Sequence, residues 1–411
     1  MLELTTMNNP IEILNEAVMP PNSPPPKLEP LTRRVLRNHT TQRDSTREEE
    51  SFSSIGEGFS RLNPARKSRY TSRMIDSPGG RKKLGYSSVK DVPVLLVVFK
   101  RPILTRQLIN RMRELEVRNL FISSDAATGS ENSELVAEVR NLVQTEIDWD
   151  CSVSLNLREK NVGLQASMVS SIDWFFSHVE EGIILEDDCL PGEDFFHLCA
   201  ELLPRFREEP RVFQITGDNT ADVSIEQNWS YCFIRYPHIW GWATWKSSWA
   251  RYDRDLALWA EFKASGMVNS LFPEPLERKI WEPIYDRILN QGIPDTWDFQ
   301  WSATLAMNDG LSVQPLVNLI SNTGFGPGAT HTKQTGPRSN RLATTLGEIR
   351  HPGIIYRHIE AERQVLMNTH LAIAIPTKRK LLKKRIRKGW RWIVSVSKHH
   401  SSRLFRLTRP N

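Results

Sequence analysis

The chain has 411 residues, 39% hydrophobic and 25% charged, which is ordinary globular usage and enough length for two or three domains. Its net charge of +6 is segregated. Residues 1–90 hold fifteen Lys or Arg against ten acids, residues 376–411 hold thirteen and no acid, and residues 91–375 are left with 26 basic and 38 acidic residues, net −12. A core this acidic excludes nucleic acid as its partner, because such binding needs a basic patch.

The N-terminal 90 residues are rich in Pro, Ser, Arg and Glu and poor in large apolar side chains. A segment of that composition cannot bury enough surface to offset its ordering entropy and is expected to be a disordered tail. Order begins at Val92. Val94–Phe99 is a near-continuous apolar run, as in a strand covered on both faces. The spacing of Leu104, Leu108, Met112 and Leu115 predicts a helix over 103–117. Leu120–Asp125 reads as a second strand, Glu131–Val143 as a helix, and Cys151–Leu157 as a third strand. A loop at Arg158–Leu164 leads into a helix through about Phe176, and Ile183-Ile184-Leu185 forms a fourth strand. This β-α-β-α-β-α-β alternation implies a parallel sheet with helices on both faces.

Three of these strands end in polar residues, Lys100-Arg101, Ser124-Asp125 and Glu186-Asp187-Asp188, and the topology brings those ends to one edge. In open α/β sheets, ligands bind in the crevice at the carboxyl ends of the strands. Three adjacent carboxylates repel one another and cannot lie in a dry core, so they mark either a site for a divalent metal with an anionic ligand or a solvated acidic turn. Neither GxGxxG nor GxxxxGK[ST] is present, so a dinucleotide fingerprint and a P-loop are both unsupported.

Asp194–Arg207 reads as a helix and Val212–Ile215 as a strand. Nine of the thirteen tryptophans then fall between residues 229 and 301. Most are expected in an aromatic core, with a few lining a groove for pyranose rings. Asn318–Gly326, followed by Gly328, Thr330 and His331, has the composition of a flexible lid. Residues 336–350 look like linker, and 356–372 can form another helix. In the C-terminal tail, Leu382, Ile386, Trp390 and Ile393 share one helical face among Lys and Arg. Such a helix suits an anionic membrane surface through residues 378–396, against the alternatives of RNA binding or plain disorder.

The four cysteines form no CxxC pair, which argues against structural zinc and for a reducing compartment. The first residues do not read as a secretory signal, and no apolar run reaches the roughly 18 residues of a membrane span. The expected location is cytoplasmic, peripheral on the inner face of a membrane.

From about Val92 to Thr332 the chain resembles the GT-A nucleotide-sugar glycosyltransferases, most of all the mannoside β-1,2-N-acetylglucosaminyltransferases and their bacterial relatives. The residues that carry the resemblance are Pro93–Phe99, Ile183–Asp188, Gly192–Phe196, Trp240-Gly241-Trp242, Trp297-Asp298 and Phe325-Gly326 with His331, in that order and rough spacing. It implies an α/β, Rossmann-like GT-A domain over 91–335; the tail at 1–90, the linker and helix at 336–375 and the basic tail at 376–411, read from composition, lie outside the resemblance. It implies Asp188 as the ligand of Mn²⁺ or Mg²⁺, Glu186 and Asp187 as partners of ribose and donor-sugar hydroxyls, and Asp125 as the uracil contact. Arg101 and His331 would lie by the diphosphate, and Asp298 would be the catalytic base. Trp297-Asp298-Phe299-Gln300-Trp301 is one residue longer than the family's Trp-to-Trp spacing and lacks its second Asp, which separates this chain from the pattern at the base.

The implied activity is an inverting transfer from a nucleoside-diphosphate sugar, UDP-linked with UDP-GlcNAc the first candidate, to a glycan or glycolipid hydroxyl. A hard cation on carboxylate oxygens would neutralise the leaving diphosphate, and one carboxylate suffices as general base. Two rivals stay open. One is a sugar nucleotidyltransferase, which would normally show a Gly- and Arg-rich loop after the first strand. The other is a non-catalytic, membrane-associated carbohydrate-binding or scaffold protein.

Overall fold

A computed structural model of the chain describes residues 85–221, 228–291, 296–324 and 341–370. All belong to one compact unit, Ser72–Asn411; the other, Met1–Thr71, lies outside the described residues. So do His331, the Phe325–Thr330 part of the expected lid, and the basic tail at 376–411.

The strands are β1 (Val94–Val98), β2 (Asn119–Ser124), β3 (Ser152–Leu157), β4 (Glu181–Glu186), β5 (Cys189–Pro191), β6 (Val212–Thr216), β7 (Tyr231–Ile234), β8 (Trp242–Trp245), β9 (Leu311–Pro315) and β10 (Ile320–Asn322). The helices are α1 (Pro102–Glu114), α2 (Ser130–Thr145), α3 (Leu164–Phe176), α4 (Glu193–Phe206), α5 (Lys246–Trp249), α6 (Ala257–Ala264), α7 (Val268–Leu271), α8 (Pro275–Gln291), α9 (Asp298–Met307) and α10 (Ile359–Val365). Eight strands form one sheet in the order β3-β2-β1-β4-β8-β6-β9-β7, and β10 pairs with β5 in a separate ribbon. The β3-β2-β1-β4 half is parallel throughout, whereas β8 runs antiparallel to both β4 and β6. The architecture is α/β with helices on both faces, as the alternation in the sequence implies.

The parallel half forms where it does because β1, β2 and β4 are largely apolar and each helix has one apolar stripe, while β3 at the sheet edge alternates apolar with polar and stays largely exposed. Leu108, Ile109 and Met112 of α1, Val139 and Leu142 of α2, and Leu198 and Leu202 of α4 bury against Leu96, Leu120, Ile122 and Leu185 on one face. Met168, Ile172 and Phe175 of α3 join Leu95, Ile184 and Trp242 on the other. Residues on successive strand positions point to opposite faces, so strands covered this way read as unbroken apolar runs. Pro102 starts α1, where its missing N–H costs nothing.

The tryptophans resolve mostly as core. Trp242, Trp245, Trp249, Trp259, Trp281, Trp297 and Trp301 are buried, leaving only Trp229 and Trp240 of the nine half-buried. The first part of the expected lid is not a loop. Ile320–Asn322 is a strand fixed against Cys189–Pro191, with Ile320 buried. Its side chain fills the space that Gly217 and Gly241 leave open, and Gly241 has φ +66°. A Cβ at either glycine would collide with Ile320. Residues 341–350 have no regular structure but are tied down: Thr344 N–H donates to Asn318 O, Ala343 N–H to Ser321 Oγ, and Leu346 N–H to Asp194 Oδ2.

Candidate active site

The strand ends converge as the sequence implies. Val97 of β1 is level with Glu186 of β4, and Val98 with Ser124 of β2, so the residues at the end of each strand meet at one edge. A cavity of about 330 Å³ opens there, lined by Lys100, Arg101, Asp125, Asn161, Glu186 and Asp187 among others. Arg101 Nη1 donates to Asp187 Oδ1 at 2.8 Å and to Asp188 Oδ2 at 2.7 Å. One guanidinium thus bridges two of the three acids.

The acids act on one another through their charges. Burial pushes Glu186 up to about 8, and the charges of Asp188, Asp187 and Asp298 add to this while Arg101 opposes it. Burial likewise pushes Asp187 up to about 6, against the pull of Arg101. The charge of Asp298, 112 positions away in sequence, also acts on Glu186. A divalent cation beside these carboxylates would lower the cost of their ionisation, and hard carboxylate oxygens are the donors that Mg²⁺ and Mn²⁺ prefer. Among the described residues, no group of three or more His, Cys, Asp or Glu could hold an ion by itself. An ion at this edge would have to be held by one or two of these carboxylates, with water and phosphate oxygens completing its shell.

Asp188 is held in place by the residues at the end of β10. Its carbonyl accepts from Thr323 N–H at 2.8 Å and from the Thr323 hydroxyl at 3.2 Å. The α-carbon of Gly324 lies directly against its carboxylate. On the opposite side of the cavity, Asp125 Oδ1 accepts from Ala126 N–H at 2.9 Å, and both its oxygens receive Val162 N–H at 3.2–3.3 Å. Asp125 therefore also fastens the Asn161–Gly163 turn to the end of β2. That turn, with Thr128, supplies cavity-lining residues that the sequence pattern does not single out. The available signal is a polar, Gly-containing loop after a strand on the ligand-binding edge.

Asp298 is the first residue of α9 and only partly buried. The Thr296 hydroxyl donates to Asp298 Oδ1. Beneath it, Trp297 stacks on Trp242 with centroids 5.7 Å apart at 24°, and the Tyr252 hydroxyl donates to Trp297 O at 3.1 Å. Trp301 Nε1 donates to Gln214 Oε1 at 2.6 Å. Arg101, Asp125, Glu186, Asp187, Asp188 and Asp298 are thus placed at one edge or in its electrostatic field.

No protein-family model and no curated protein matches this chain. Weak likenesses to solved structures exist. HddC from Yersinia pseudotuberculosis aligns at 7% identity and TM-score 0.25, over 38% of this chain and 77% of that one. A UDP-glucose pyrophosphorylase complexed with UDP-glucose aligns at 10% and 0.21, over 36% and 63%. A glycosyltransferase involved in glycosylation of the major capsid of PBCV-1 aligns at 12% and 0.22, over 48% and 77%. At these scores the likenesses decide neither fold nor function, and the sheet order and the site must carry both.

Proposed function

We propose that the protein is a metal-dependent, inverting GT-A glycosyltransferase. It would move a sugar from a nucleoside diphosphate, UDP in the first instance, to a hydroxyl of a glycan or glycolipid. The observation that carries this reading is the convergence of Arg101, Glu186, Asp187 and Asp188, within the field of Asp298, beside a cavity walled on its far side by Asp125. The cavity suits a nucleoside, with Asp125 in its wall.

Asp188 would hold Mn²⁺ or Mg²⁺, and that ion, when bound, supplies charge neutralisation to the departing diphosphate. Arg101 adds a fixed positive charge at the same place. Glu186 and Asp187 face the cavity and accept hydrogen bonds from ribose and sugar hydroxyls. Asp298, partly exposed at the start of α9, takes the proton of the acceptor hydroxyl as it attacks. One base with direct displacement gives inversion at the anomeric carbon. Only three residues separate β1 from α1, and none is glycine, which speaks against the loop a nucleotidyltransferase would place there.

The test is calorimetry with UDP. The wild-type chain is expected to bind UDP only when Mn²⁺ is present, and Asp188→Ala to abolish that binding. Equal affinity in the two proteins would overturn the metal assignment.

A further inference from the structure

The first turn of α3 has two sides. Gly163, Leu164, Ser167 and Met168 line the cavity. Gln165, in the same turn, is not among the lining residues and donates Nε2 to Thr296 O at 2.8 Å, spanning 131 residues of sequence. The next carbonyl, Trp297 O, is held by the Tyr252 hydroxyl. Two consecutive peptide planes ahead of Asp298 are thus fixed from two separate elements. The Thr296 side chain then fixes the carboxylate itself.

We propose that Gln165 and Thr296 are positioning residues for Asp298, and that Gln165 links the wall of the donor cavity to the placement of the base. This rests on the glycosyltransferase reading above. Filling the cavity presses on the turn that carries Gln165, and the same turn sets where Thr296 and Asp298 stand. Neither residue touches the reacting atoms. Each acts through Asp298, and a base misplaced by about 1 Å costs on the order of 100-fold in rate.

The experiment uses the 411-residue chain with UDP-GlcNAc and Mn²⁺, following UDP release with water as acceptor of the sugar, and crystal structures of the same proteins. Gln165→Glu keeps the size of the side chain but replaces the donor amide with an acceptor facing a carbonyl. Its expected effect is a fall in kcat of tenfold or more, with KM for UDP-GlcNAc within twofold of wild type. In its crystal structure the Thr296–Asp298 segment should be displaced by about 1 Å. Thr296→Val should move the acid limb of the pH–rate profile upward, because a hydrogen bond to the ionised base favours that form, and Thr296→Ser should restore it. Wild-type kcat in Gln165→Glu, or an undisplaced Asp298 in its structure, overturns the proposal. Asp298→Asn separates the two levels. Loss of turnover there with full turnover in Gln165→Glu sinks the positioning role alone, while retained turnover in Asp298→Asn sinks the base assignment and the positioning role together.

Discussion

Gly324 stands where only a hydrogen fits. A Cβ at that position would be driven into the carboxylate of Asp188, the proposed metal ligand, and would push it off the geometry that Arg101 completes. Gly324→Ala is therefore expected to weaken Mn²⁺-dependent UDP binding at least tenfold while leaving the melting temperature in EDTA within a few degrees of wild type. Calorimetry and a thermal melt check both halves. The three acids were legible in the sequence because charge cannot follow a buried strand without reaching an edge. The role of Gly324 was not legible, because it depends on β10 returning to lie beside β5, a pairing that local pattern does not encode. Asp125 shows the same limit from another direction. Its position at a strand end could be read, but its second duty of holding Val162 N–H needs the fold.

The two halves of the sheet differed in how openly their elements could be read. β1, β2 and β4 carry apolar runs and β3 an apolar-polar alternation, between helices with clear stripes, and their predicted bounds agree with the structure to within a few residues. The half containing β6, β7, β8 and β9 is written differently. Gln214, Thr244, Ser312 and Gln314 are fully buried strand residues whose polarity is answered internally, except at Gln314 Oε1, which has no partner among the described residues. Gln214 Nε2 donates to His238 O and Ser312 Oγ, the Thr244 hydroxyl to Phe213 O, and Gln314 Nε2 to Asp218 O. Polar residues of this kind break the hydrophobic period that marks a strand, although hydrogen bonding offsets the cost of their burial. One of them also anchors α9, since Gln214 receives Trp301 Nε1. Trp301→Ala removes that bond together with ring contacts to Trp242 and Trp249. It is expected to cost about 3–5 kcal/mol of stability, read as a lower urea midpoint at unchanged slope.

On the scale of the whole chain, charge is the dominant pattern. Residues 91–375 carry net −12, and residues 376–411 carry thirteen basic residues with no acid. Among the described residues, no helix is long and apolar enough to cross a membrane. The basic segment is the proposed contact with anionic lipid. Full-length protein is expected to sediment with vesicles containing anionic lipid, and the chain lacking 376–411 to remain in the supernatant with the same melting temperature. Equal sedimentation of the two would refute the membrane role. The charge pattern was fully legible in the sequence because it requires no folding to exist.

The sheet order also bears on how the site is divided along the chain. Every residue lining the 330 Å³ cavity lies between Val97 and Asp187, in the parallel half, whose closing pair of Val94 with Ile183 spans 89 residues. Asp298 comes from the other half, and the Thr323 and Gly324 that hold Asp188 follow β10. On the reading proposed above, nucleotide binding would report the parallel half together with the segment after β10, whereas turnover would report the whole assembly, Asp298 included.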